Sequence, residues 1–326
     1  MILTAVAPAT HRLPTTAAQT RPQLADSSPE DRFTPAQASP PAHPPHHPPA
    51  RSWQARMLLN GQEGGPVLPG QPTRLEMAIL DPHGNPVREF DLEHEKPMHM
   101  IVVSADLETF AHLHPNLTTR GEFSLDLNQP TADPDNRDAE RAIAKAGTHL
   151  VFAEVKPRGQ KVQGLALDLE ASGQAAPVKL QPDLTGSGQV TRYFGADGQP
   201  GEQGAPYRVS FELDDMRGHG MIHLTFHLEK AVGDGYQPVQ EAENWLGMPG
   251  HAIMIGADGA EAADRSFNHL HSGHHGHHAQ PLLEGAGPDF PFMLHGQMPP
   301  DGVYKIWGQF KHEGQVVTFP FVFELS

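Results

Sequence analysis

Met98-His99-Met100-Ile101-Val102-Val103, with Phe110-Ala111-His112-Leu113-His114-Pro115 shortly after it, decides how this chain is read. The pattern returns as Met248-Pro249-Gly250-His251-Ala252-Ile253-Met254-Ile255 followed by Phe267-Asn268-His269-Leu270-His271. Each copy places a lone histidine on one apolar run and a His-Leu-His triplet at the end of the next. Residues two apart in a strand share a face, so His112 and His114 point one way and Leu113 the other. A turn near Ala105-Asp106 sets His99 across from the first triplet, and a midpoint near Ala260-Glu261 sets His251 across from His269 and His271. Opposed positions in antiparallel strands lie roughly 4.5–5.5 Å apart, within reach of one ion. Pairing that is kept although the second loop is longer implies that the histidines are what is held in place.

Alternation with period two continues on both sides of these hairpins. Leu75, Met77 and Ile79 form one strand face, as do Tyr207, Val209, Phe211 and Leu213, then Ile222, Leu224, Phe226 and Leu228, and finally Phe319, Phe321, Phe323 and Leu325. Gly147-Thr148-His149-Leu150-Val151-Phe152-Ala153-Glu154-Val155-Lys156 aligns without a gap on Gly302-Val303-Tyr304-Lys305-Ile306-Trp307-Gly308-Gln309-Phe310-Lys311. The expected fold is therefore all-β: a β-sandwich over 53–172, a second over 173–326 with a His-rich loop at 269–278, and a linker near Ala171–Gln174. Residues 1–52, one aromatic among many prolines, are expected to form a disordered tether carrying His43, His46 and His47. Its first residues, Met1–Ala9, resemble the tail of a signal peptide without a basic flank.

Composition narrows the partners. With 23 Lys+Arg against 39 Asp+Glu the net charge is −16, which disfavours nucleic acid and favours cations. The 22 histidines are the outlying number, and no cysteine is present. Disulfides, thiolate catalysis and Cys-type zinc sites are thereby excluded, leaving His, Met, carboxylate and backbone ligands. That set suits copper in an oxidising compartment, where a free thiol would be lost. No apolar run reaches the ~18 residues that span a bilayer, so a protein not integral to the membrane is expected.

The order Gly247-Met248-Pro249-Gly250-His251, His269-Leu270-His271, Phe290-Pro291-Phe292 and Gly302–Phe310 resembles a family of exported bacterial β-sandwich proteins described as YtkA-like. The first unit resembles it through Met98-His99 and His112-Leu113-His114-Pro115. The resemblance covers residues 53 to 326 and implies tandem Ig-like or cupredoxin-like sandwiches, a periplasmic or secreted location, and handling of copper or other heavy metals. Carried over by motif, the metal positions are His99, His112 and His114, then His251, His269 and His271. Ser272 replaces the family's proline, and Tyr304 corresponds to His149, which could add a ligand.

Three function classes follow. In the first, each repeat holds copper through three histidines, with Met98, Met100 or Met248 supplying thioethers for Cu(I); zinc suits three imidazoles equally well. Such a protein buffers metal or delivers it to an efflux or acceptor protein. In the second, tandem sandwiches form a structural or interaction unit of the cell envelope with incidental histidines. Catalysis is the third and is not expected, because no nucleophile elbow, phosphate loop or HExxH motif occurs and no acid or base is placed. A secondary Met/His-dense stretch, Met216-Arg217-Gly218-His219-Gly220-Met221-Ile222-His223, is either a soft-metal site or rim packing around a turn.

Overall fold

Alternating side chains fold the described residues, 52–176, 178–273 and 289–326 of a computed structural model, into two repeats of two sheets each. The tether histidines and His274, His275, His277 and His278 lie outside the described residues. In the first repeat Gln54–Leu59, Thr73–Leu80 and Phe123–Leu127 pair in that order, and Gln163–Ala171, Gly147–Pro157, Met98–Ser104 and Phe110–Leu113 form the second sheet. The second repeat repeats both orders. Tyr207–Met216, Met221–Val232 and Asp289–His295 match the first sheet, and Gln315–Leu325, Gly302–His312, His251–Gly256 and Phe267–His271 match the second. Gly188–Phe194 adds a strand beside Tyr207–Met216 in the second repeat with no long counterpart in the first. The expectation of an all-β tandem sandwich therefore holds.

Each repeat closes its own core. Leu75, Met77, Ile79, Met98, Met100 and Val102 meet in the first, and Phe211, Phe226, Phe310, Phe319 and Phe321 in the second. The core histidine strands, however, are buried on both faces: every residue of Met98–Ser104 and of His251–Gly256 is buried. Strands covered on both faces read as nearly continuous apolar runs, which is the texture of Met-Ile-Val-Val here. The reason is a third apolar cluster, in which Ile101, Val103 and Phe152 of the first repeat meet Ile253, Ile255 and Trp307 of the second. Both repeats lie in one compact unit, Pro49–Ser326, with their histidine-bearing sheets face to face.

The contact has a near two-fold pattern. Phe110 stacks on Trp307 with centroids 4.8 Å apart, and Phe267 stacks on Phe152 at 4.4 Å. Phe152 and Trp307 occupy matching positions of the two closing strands, so each repeat offers an aromatic to the same place on the other. Arg265 donates to Ala105 O and Ala262 N to Asp168, adding polar ties. Burying such side chains contributes about 1.5–3 kcal/mol each.

Candidate metal centre

Strand register sets the histidines. Met100 pairs with Leu113 and Ile101 with His112, so continuation of the ladder puts His99 opposite His114. In the second repeat His251 pairs directly with His271, and Ile253 with His269. The alternation that sends Met98 and Met100 into the first core sends His99, Ile101 and Val103 to the repeat interface. Met98 and Met100 therefore face away from His99, which corrects the expectation that they would serve as nearby thioethers. His149 is also apart from the group: it pairs with Ser104 at the far end of the strand, roughly 17 Å along from His99.

Each triad is compact. Ligand nitrogens of His99, His112 and His114 lie within 4.8 Å of one another, and so do those of His251, His269 and His271. What the sequence left open is how the triads relate. His99 and His112 lie 5.2 and 5.3 Å from His269, centroid to centroid, as close as the rings within a triad. His251 is 6.1 Å from His112. Six imidazoles thus form one cluster between the repeats.

Hydrogen bonds orient the rings. His99 donates from Nε2 to Glu93 O at 2.9 Å, and His114 from Nδ1 to Asp135 O at 3.0 Å. His112 donates from Nδ1 to Gln309 Oε1 at 2.7 Å, the amide being fixed by its donation to Thr318. Because a neutral imidazole has one N–H, these three bonds to acceptors leave lone pairs on His99 Nδ1, His112 Nε2 and His114 Nε2. With the Gln309 oxygen as acceptor, His99 Nδ1 and His112 Nε2 face each other as two lone pairs at 3.2 Å. His114 Nε2 is buried without a partner. In the other triad His269 donates from Nδ1 to Glu154 at 2.6 Å, while its Nε2 and both nitrogens of His251 are buried and unpaired.

Burial also favours the neutral form of His99, His112, His114 and His251. It pushes His99, His112 and His251 well below the ordinary imidazole range, helped by neighbouring imidazoles, and holds His114 at about 4. Neutral imidazole is the form that ligates metal. A segment spanning Pro134–Arg141 straps the first triad: Asn136 accepts from His114 N and donates to its O, and Asp138 accepts from His112 N. Asp138 is itself pushed up by burial.

Four participants were missed by sequence reasoning. Glu154 and Gln309 occupy matching positions and each grips a histidine of the other repeat. The ungapped closing-strand alignment was the signal, but nothing in it says that those side chains cross an interface. Trp245 lies edge-on to the cluster, 5.0 Å from His251 and 5.4 Å from His112, and donates to Asp135. His94 lies against His271 with ring centroids 3.8 Å apart and planes tilted by 34°. Both stand at or beside matching tight turns. Glu93 and Lys96 exchange backbone bonds around His94 and Glu95, as Trp245 and Met248 do around Leu246 and Gly247, with all four central residues at positive φ. The available clue was that the turn-opening residues Glu93 and Trp245 each stand six positions before the lone histidine, His99 and His251.

Similarity then places the chain. The family described as "Domain of unknown function (DUF8832)" matches residues 57–173 and again 202–326. The chain belongs to this family. Its two matched segments are the two repeats, each carrying one triad. No curated protein matches the chain in sequence. Similar solved structures include a tetra-tandem repeat from the extending region of a large adhesion protein, at 8% identity and TM-score 0.24, covering 84% of this chain and 50% of that one. Others are a Salmonella alpha-2-macroglobulin mutant, at 11% identity and TM-score 0.21 over 85% and 15%, and latent PorU from Porphyromonas gingivalis, at 8% and 0.28 over 84% and 34%. The chain spans half or less of each, and likeness at this level bears on neither ligand nor activity.

Proposed function

We propose that this protein binds two transition-metal ions between its repeats, copper foremost and zinc as the alternative, and holds them for buffering or delivery rather than turnover. The observation that carries the reading is the approach of His99 Nδ1 and His112 Nε2 to 3.2 Å in a buried interface, beside the unpartnered Nε2 of His114. In the tautomers set by Glu93 O and Gln309 Oε1 both nitrogens carry lone pairs and repel, and unpaired buried nitrogens around them cost free energy as well. Two nitrogens bound to one tetrahedral ion at ~2.0–2.1 Å lie roughly 3.3 Å apart, so a cation resolves the conflict. His99, His112 and His114 would hold one ion and His251, His269 and His271 a second. Glu93 O, Asp135 O, Gln309 and Glu154 fix ring orientation, the role such outer partners play in metal sites. A crevice lined by Asp135, Asp138, Trp245 and Gln309 reaches His112 and offers a route for entry.

Copper is favoured over zinc by the absence of cysteine and by the motif resemblance to exported YtkA-like proteins; the same two points support a periplasmic or secreted location and a metal efflux or acceptor protein as partner. Among the described residues no helix is long and apolar enough to cross a membrane. The structural reading keeps one observation of its own: the apolar cluster around Ile101, Ile253 and Trp307 joins the repeats without any ion.

Copper and zinc titrations separate the two readings. The protein is the full chain with His43, His46, His47, His274, His275, His277 and His278 changed to serine. Two tightly bound ions per chain are expected, with both lost in a His114→Gln/His271→Gln variant that keeps its circular dichroism. Failure of the folded parent to bind tightly leaves the histidines as interface packing.

A further inference from the structure

The outer face of the second repeat's distal sheet carries a separate set of metal donors. Met221–Val232 runs between Tyr207–Met216 and Asp289–His295, and antiparallel pairing lines the side chains of the three strands up in rows. Met221 has Met216 on one side and His295 on the other. The next row on the same face has His223 between Asp214 and Met293. Alternation turns Leu213, Ile222, Leu224, Phe292 and Leu294 into the core and leaves these six on the outer side, none of them buried. Directly opposed side chains in such rows start roughly 4.5–5.5 Å apart, and successive rows are within reach of long side chains.

We propose that Met216, Met221, Met293, His223 and His295 form a binding site for a soft monovalent cation, Cu(I), on this face. Three thioethers and two imidazoles are a soft donor set, which selects Cu(I) over harder divalent ions. The distribution of methionine is unusual. Met57, Met77, Met98, Met100 and Met254 are buried, whereas three others share one solvent-facing patch of a sheet. A neighbouring histidine gives the contrast. His227, two rows along, is held by Asp289 at 2.7 Å and Glu212 at 3.2 Å, so carboxylates already occupy both of its nitrogens. His223 has Met293 beside it instead, and its Nε2 is buried with no hydrogen-bond partner. Asp214 adds a negative charge in the same row, and the chain's net charge of −16 favours a cation. The Met216–His223 stretch that reads from sequence as a metal site or a turn rim gains Met293 and His295 only through strand pairing.

The site is tested on the full chain labelled with 13C at the methionine methyl groups, using Ag(I) as a redox-stable substitute and then Cu(I) under anaerobic reducing conditions. The methyl signals of Met216, Met221 and Met293 are expected to shift together along one saturable curve, while those of Met57 and Met77 stay in place. Zn(II) should leave all three unmoved. A Met221→Leu/Met293→Leu variant conserves volume and should lose at least tenfold in Ag(I) affinity. Signals that stay fixed, that drift only with large excess, or that move equally with Zn(II) overturn the proposal, as does unchanged affinity in the variant. The readout does not depend on the interface histidines, so it stands or falls apart from the centre proposed above.

Discussion

Glu154 of the first repeat accepts a hydrogen bond from His269 of the second at 2.6 Å, and Gln309, its positional counterpart, accepts one from His112 of the first at 2.7 Å. Each repeat therefore orients a histidine that belongs to the other. The arrangement makes the cluster a property of the docked pair, since neither repeat alone supplies the partner that selects the tautomer of His112 or of His269.

Removing either clamp is expected to weaken metal binding without unfolding the protein. Glu154→Ala and Gln309→Ala should each cost about 10–100-fold in affinity, the range for loss of an outer-shell partner. Competition titration against a chelator of known affinity measures it; an unchanged affinity in both variants removes these residues from the centre.

Trp245 should report occupancy. Its ring is 5.0 to 5.9 Å from His251, His112 and His114. Cu(II) is expected to quench tryptophan emission in step with binding, with most of the change absent in Trp245→Phe, whereas Zn(II) should alter intensity little. Equal quenching in the variant would place copper elsewhere.

The metal-free protein should lose stability in mild acid. The His114 ring is held at about 4 in the folded state against about 6.5 when unfolded, so between those values the unfolded chain binds more protons. Its contribution is complete above about pH 6.5 and disappears as pH falls toward 4, a total on the order of 3 kcal/mol. His99, His112 and His251 shift the same way. Calorimetric melting from pH 7.5 to 4.5 should show a steep fall in Tm, much shallower in a His112→Asn/His114→Gln variant. Parallel curves for the two proteins would contradict it.

The apolar contact between repeats should be a principal part of the stability. Ile253 is fully buried in it, and Ile253→Ala is expected to cost about 2–5 kcal/mol. Urea unfolding measures the loss. A change below ~0.5 kcal/mol, the usual range for surface substitutions, would mean that the repeats do not rest on each other in solution.

Much of the fold was legible because its signals are local. Phe319, Phe321, Phe323 and Leu325 alternate, and they do line one core. The hairpin centres inferred for both copies agree with the observed registers, His251 opposite His271 and Ile101 opposite His112. The triads were legible for the same reason, since period and turn position bring three residues of one hairpin together. Met98 and Met100 were misplaced because closeness in sequence was given more weight than alternation, which puts immediate neighbours on opposite faces. His94 and Trp245 were missed because tight turns carry weak periodicity.

By itself the sequence determined an all-β chain, its internal duplication, and two trihistidine hairpins in matching places, because strand period and register depend on residues a few positions apart. Only the tertiary structure decided that these hairpins face each other, that Glu154 and Gln309 cross between repeats, and that Met293 and His295 join Met221 and His223. Those relationships depend on which sheet faces which and which strands become neighbours. That is set by burial summed over whole surfaces such as Ile101, Phe152, Ile253 and Trp307, and no single stretch of sequence contains it.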